Sequence, residues 1–419
     1  MASDNLREVS VQNLVFGMYV SKLDRPWTET PFMFQGFTLS NEKQLNALKQ
    51  FCKKVYVDPE KWIPTEAPAG AAPAAGASAA AVKDGAIAAQ LAEKIRGNTV
   101  YREVASIEEE MPKATKAFTR STEVVRMFSS TVRAGGVLDG PQTTEAVKDV
   151  TASVERNPDA MILLAKMREQ SRETLNRSLE VSVLMIAFGR FLQLPRNQLE
   201  LLGMCGLLQD AGMLKLPRGI AERRSDLAAG DRDIFRSHIG HSVEILSKTP
   251  GLPAELPGIA SLHHERYDGS GYPRGLRASA IPLLGQIAAI VDTFDMLTAN
   301  EPYGQHLSPS AALNVLYRNR GTKFHAGAVE QFIQCLGAFP VGSIVELNSG
   351  EIGVVIAQNM VRRLQPRVMV VQDGDGNPIL PHKILDLMKE PMASADEPYR
   401  IRRTLEADSI RIDPRALFL

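Results

Sequence analysis

His263-His264-Glu265-Arg266-Tyr267-Asp268-Gly269-Ser270-Gly271-Tyr272-Pro273 puts two adjacent imidazoles, two carboxylates and a Gly/Tyr/Pro loop into one short stretch. No packing rule asks for that mixture. Adjacent side chains point to opposite faces of a strand, but both imidazoles can reach inward from the end of a helix. There they share a metal cluster if a carboxylate elsewhere bridges it. Gly269 and Gly271 free the backbone to turn sharply, and Pro273 fixes the exit. Tyr272 offers a large ring with a polar tip, a residue type enriched at binding hot spots. The spacing of Gly269, Gly271 and Gly275 is not the dinucleotide fingerprint, and no βαβ pattern surrounds it.

Outward from this stretch the pattern is helical from Asp159 to Phe339. Leu175, Leu179, Val183 and Ile186 mark one apolar stripe, and Leu199, Leu202, Cys205 and Leu208 mark another. After Pro340 the texture changes to short β runs, Ser343 to Leu347, Gly353 to Ala357 and Arg367 to Gln372, separated by turn-forming Asn348-Ser349-Gly350 and Asp373-Gly374-Asp375-Gly376-Asn377. The second turn lacks the glutamate that a calcium loop needs, so it reads as a hairpin turn. At the other end, Val9 to Lys22 and Lys54 to Val57 have strand character, and Asn41 to Cys52 has helical spacing. The Ala/Pro/Gly-rich residues 64–86 contain almost nothing able to build a core and read as a linker. At 419 residues the chain exceeds a single core. The expected division is an α+β module over 1–63, the linker, a helical connector over 87–157, a helical bundle over 158–339 and a β extension over 340–419. The connector has the length to pair with a second copy.

Composition narrows the function. Forty-eight basic and 48 acidic residues leave no net charge, so no global field recruits nucleic acid or an anionic membrane. The three cysteines, Cys52, Cys205 and Cys335, are far apart and read as buried thiols rather than disulfide or zinc ligands. The first residues lack a signal-peptide pattern, and the most apolar run, Val181 to Phe191, is interrupted by Arg190. A cytoplasmic protein without a membrane span is expected.

Written as H-H-E-x-x-D-G-x-G-Y-P, the opening stretch closely resembles the signature of the HD-GYP family. The resemblance covers about Met161 to Phe339. The tail from Pro340-Val341-Gly342-Ser343 looks like an extension such proteins carry, and the module with Gly17-Met18-Tyr19-Val20 resembles an uncharacterised domain found ahead of HD-GYP domains. It implies a mainly α fold, an HD-type helical bundle with a small α+β N-terminal module and a small β C-terminal unit. It further implies a metallophosphodiesterase acting on cyclic di-GMP, a bacterial second messenger. By the same resemblance Glu173, Asp210, His238, His263, His264 and Asp292 stand at metal-ligand positions, Asp210 also being the family's catalytic aspartate. Gly269, Gly271, Tyr272 and Pro273 form the substrate or partner loop, and diguanylate cyclase domains are the implied class of protein partner.

The departures bear on chemistry. Where the family has Leu-Leu-His-Asp-Ile-Gly-Lys, this chain reads Leu207-Leu208-Gln209-Asp210-Ala211-Gly212-Met213, and Arg177 stands where another histidine is expected. The basic residues offered to the dinucleotide's phosphates are replaced in Glu301-Pro302-Tyr303-Gly304. Glu173 and Arg177 are four residues apart on one predicted helix. Arg177 is therefore expected to aim at Glu173, Asp210 and Asp292 and to stand in for one metal. A guanidinium offsets charge but cannot activate water. Asp210, His238, His263 and His264 remain, enough for one iron, manganese or zinc ion, with no metal as the other reading. His241, His306, His325 and His382 match no motif position. Three functions stay open: a regulator in cyclic di-GMP signalling with Asp210 catalytically silent, a weak phosphodiesterase with a reduced metal site, and a structural bundle serving the N-terminal module.

Overall fold

A computed structural model describes residues 6–25, 37–39, 42–59, 95–168, 174–221, 228–299, 307–359 and 362–405. Glu173, the predicted linker, Glu301, Gly304 and His306 lie outside them. The chain forms two compact units, Met1–Asp84 and Gly85–Leu419. In the first, strands β1 (Arg7–Ser10), β2 (Tyr19–Leu23), β3 (Phe37–Thr38) and β4 (Lys54–Asp58) make an antiparallel sheet in the order β1-β4-β2-β3. Val20, Val55 and Val57 form its core with Leu48 of α1 (Glu42–Phe51), as the alternating and helical spacings require.

The second unit is mainly α. Helix α2 (Ile107–Arg133) starts with a capping box in which Ser106 and Glu109 satisfy each other's backbone N–H groups. It packs on α3 (Gly140–Arg156) and α4 (Pro158–Arg168). The segment expected as a connector therefore carries helices with buried faces. Glu110 of α2 is fully buried, yet it accepts two hydrogen bonds of 2.7 Å from Arg156 and one of 2.8 Å from Ser153. That set of partners offsets the desolvation of a buried carboxylate.

The bundle centre is α5 (Thr174–Phe191) against α6 (Arg196–Leu208) and α9 (Leu283–Thr298), with α8 (His238–Ser247) packed on the turn that follows α6, α7 (Ala229–Arg236) beside α8, and α10 (Pro309–Arg318) and α11 (Ala326–Leu336) closing it. α5 and α6 approach closely at Gly206, where a Cβ would lie 2.6 Å from Ser182 Cα. Ser182 Oγ also donates to Gly203 O at 2.8 Å. This contact sets the depth at which α6 delivers its last residues.

The C-terminal strands β5 (Ile344–Leu347), β6 (Ile352–Ala357), β7 (Arg367–Gln372), β8 (Pro378–Asp386) and β9 (Ile401–Thr404) form an antiparallel sheet in the order β8-β7-β6-β5-β9. β5, β6 and β7 match the predicted runs. β8 was not legible because prolines 378 and 381 interrupt it, and its edge position tolerates them. Asp373 accepts from the backbone of Asp375 and Asn377, so the Asp-Gly-Asp-Gly-Asn segment is a turn. The sheet is tied to the bundle by Gln358 N donating to Asp159 Oδ2 at 2.8 Å. Among the described residues no helix is long and apolar enough to cross a membrane.

Candidate metal centre

Four elements meet at one point. α6 stops at Gln209, Asp210 follows, and α8 begins with His238. His263 and His264 sit in the turn after a short helical segment, Leu256–Ala260, while Asp292 and Asp295 project from one face of α9. Gly212 makes the first junction. Its N–H donates to Ser242 Oγ at 2.8 Å, and a Cβ there would lie 2.0 Å from His238 O. Only a glycine lets the turn after Asp210 press against the start of α8.

His238, His263 and His264 are buried, and their donor atoms all lie within 4.8 Å of one another. Nδ1–H of His238 donates to Phe235 O at 2.6 Å, and Nδ1–H of His263 to Ala260 O at 2.7 Å. A carbonyl can only accept, so both rings turn their Nε2 atoms inward. These two atoms are 3.4 Å apart, and each is 3.5 Å from Asp210 Oδ1. Two imidazole lone pairs and a carboxylate oxygen converging on one point require a cation or a proton between them. This donor set fits a divalent ion of nitrogen and oxygen preference.

The protonation pattern follows the same geometry. Burial opposes ionisation of Asp210, but the hydrogen bond from His263 and the positive charges of His263, His238 and Arg177 outweigh it and hold the carboxyl below its ordinary range. Burial likewise works against a charged His263, yet Asp210 and Asp292 raise it. His238 and His264 are lowered, first by burial and then by neighbouring positive charge.

The other half of the cluster is filled differently. Asp292 Oδ1 accepts from Gln209 Nε2 at 3.2 Å and from Arg177 Nη2 at 3.4 Å, while Arg177 Nε donates to Asp295. Asp292 Oδ2 is buried without a hydrogen-bond partner and faces His264 Nδ1 at 3.6 Å. Burial raises the carboxyls of Asp292 and Asp295, and Arg177 pulls them back toward ionisation. Asp295 was missed by sequence reading, although its three-residue spacing from Asp292 put it on the same face of a helix. Arg177 was expected to aim at Glu173, Asp210 and Asp292; it bonds Asp292 and also Asp295, Asp210 acts on it through charge, and Glu173 lies outside the described residues. Met213 joins an apolar cluster with Leu216 and Ile220. His325 caps α11, accepting from Ala328 N, and His241 and His382 stand outside the cluster.

Behind the histidines, Glu265 serves the loop. Its carboxylate, 1% exposed, accepts from Arg274 N at 2.8 Å and Leu276 N at 2.9 Å. Gly271 passes so close that a Cβ would lie 2.3 Å from Arg266 N, and Gly269 has φ +80. Tyr272 is thereby laid on His264, the ring centroids 4.8 Å apart and 27° from parallel.

An HD domain model matches residues 159–327, a domain of unknown function residues 6–143, and a KOW domain associated with HD domain residues 344–395. A cyclic di-GMP phosphodiesterase of Pseudomonas aeruginosa is 30% identical over 386 residues, 91% of this chain and 89% of the relative. The chain belongs to the HD-GYP family. A cyclic di-GMP phosphodiesterase response regulator of Xanthomonas campestris is 30% identical over 48% of this chain and 57% of its own length. A solved structure, an HDG"Y"P protein from Bdellovibrio bacteriovorus, is similar at a TM-score of 0.44 and 14% identity, over 78% of this chain and 98% of that one. Within this HD-GYP chain the histidine cluster can hold a metal.

Proposed function

We propose that this chain is a degenerate HD-GYP protein of cyclic di-GMP signalling, acting through nucleotide sensing or protein contacts with little or no hydrolysis. The observation that supports it is the occupation of Asp292. A guanidinium and an amide bind its Oδ1 where the family resemblance places histidine ligands. The nucleotide is taken from the relatives, which are named as cyclic di-GMP phosphodiesterases.

A metal bound here would be held by His238, His263, His264 and Asp210, and would supply charge neutralisation and a water of lowered pKa. Arg177 supplies charge alone, since it neither exchanges a proton at neutral pH nor offers an open coordination position. Two-metal stabilisation of attacking and leaving oxygens is thus outside the reach of this residue set. A weak phosphodiesterase with a reduced site is the second reading, favoured by the convergence of both Nε2 atoms with Asp210.

Purified protein should carry at most one equivalent of iron, manganese or zinc and bind cyclic di-GMP without ordinary turnover. Turnover on the order of one per second or faster would overturn the regulatory reading. Slow turnover that tracks metal content would favour the second.

A further inference from the structure

The site has an outer rim that its ligand set does not explain. Arg236, the last residue of α7, is exposed, and its guanidinium carbon lies 4.9 Å from the centroid of the Tyr272 ring. Tyr272 in turn lies on His264. Arg236, Tyr272 and His264 therefore form a stack that runs from solvent to the histidine cluster. Arg236 sits two residues before His238, so its backbone is anchored by a residue of that cluster.

The other arginines around the cluster are committed. Arg177 is buried on Asp292 and Asp295. Arg266 donates to the carbonyls of His263 and Glu265 and to Thr293 Oγ1, and its guanidinium lies over Phe324. Arg236 differs, because among the described residues its contact is the Tyr272 face alone and no carboxylate pairs with it. A guanidinium held over a ring face spends none of its N–H donors on a carboxylate, and those donors can take two oxygens of a phosphate. An anion approaching Asp210 and Asp292 needs such a cation, since both carboxylates repel it. The segment with Glu301 and Gly304 offers an acid and a glycine instead of basic residues.

We propose that Arg236 is the anion-binding residue of this site, holding the phosphodiester of a cyclic dinucleotide beside the Tyr272 ring. This rests on the nucleotide-binding reading above and names the residue that carries it. Tyr272 acts as a positioning residue, since it orients the guanidinium.

The test is calorimetric titration of full-length protein with cyclic di-GMP at two salt concentrations. Arg236→Gln should weaken binding about tenfold or more and flatten its salt dependence, with the melting temperature unchanged because the side chain is exposed. Arg236→Lys keeps the charge but loses the planar fork, so it should fall between the two. Tyr272→Phe should bind as the wild type does, and Tyr272→Leu should bind like Arg236→Gln. Wild-type affinity and salt dependence in Arg236→Gln would overturn the assignment while leaving the nucleotide reading standing. A wild-type protein that binds no cyclic di-GMP would sink both.

Discussion

Gln209 Nε2 donates to Asp292 Oδ1 at 3.2 Å, so an amide fills a position where the family resemblance places an imidazole. Arg177 reaches the same oxygen from the opposite helix. Replacing both together, Arg177→His with Gln209→His, should free Asp292 and add about one equivalent of manganese, with faster cleavage of cyclic di-GMP. Metal analysis and product chromatography check this. Metal content equal to wild type would mean that Asp292 is not a ligand.

Arg177→Ala should destabilise the bundle by about 3–5 kcal/mol, because Asp292 and Asp295 are left buried without their cation. Chemical denaturation reads this directly. Added manganese should recover part of the loss, and a denaturation midpoint that does not move would place Arg177 outside the network.

Asp159 couples the bundle to the C-terminal sheet, and burial, reinforced by Glu103 and opposed by the Gln358 N–H and Arg190, lifts its carboxyl from 3.8 to about 7. The folded state then holds this proton more tightly than the unfolded chain. Its contribution is complete below the unfolded value of 3.8 and is lost as pH rises to about 7, an effect on the order of 4 kcal/mol. Asp159→Asn keeps an acceptor for Gln358 and removes the proton. Denaturation at pH 5 and pH 8 should show a smaller pH difference for the variant, and equal differences would refute the coupling.

Glu265→Ala should release the loop that carries Tyr272. Two backbone N–H groups lose their acceptor, a change that costs about 1–3 kcal/mol per buried group. Hydrogen exchange at Arg274 and Leu276 should accelerate, while exchange in α5 and α6 stays slow. Unchanged protection at those two amides would show that the glycines alone hold the loop.

Much of this was legible because it depended on spacing. The apolar stripes with Leu179, Val183 and Leu202 gave the helices that pack at the bundle centre, and the alternation around Val20 and Val55 gave the first sheet. The paired histidines pointed to the cluster. What stayed hidden depended on long-range geometry. Asp295 became the partner of Arg177 only once α5 and α9 were packed together. Glu265 stands beside two histidines in sequence, yet its carboxylate points away to the chain nine and eleven residues later. No local pattern distinguishes a ligand from a loop anchor. Arg236 is an ordinary helix-terminal cation until the loop brings Tyr272 over it.

The contact at Gly212 separates form from reactivity. Because main chain meets main chain there, with His238 O 2.0 Å from where a Cβ would stand, the distance between Asp210 and His238 is enforced by steric exclusion and not by coordination. A chain built this way holds Asp210 and His238 in place whatever residues stand at positions 177 and 209. Chelators should therefore strip any ion and leave the architecture standing, because the frame around the donors is set by the main chain itself.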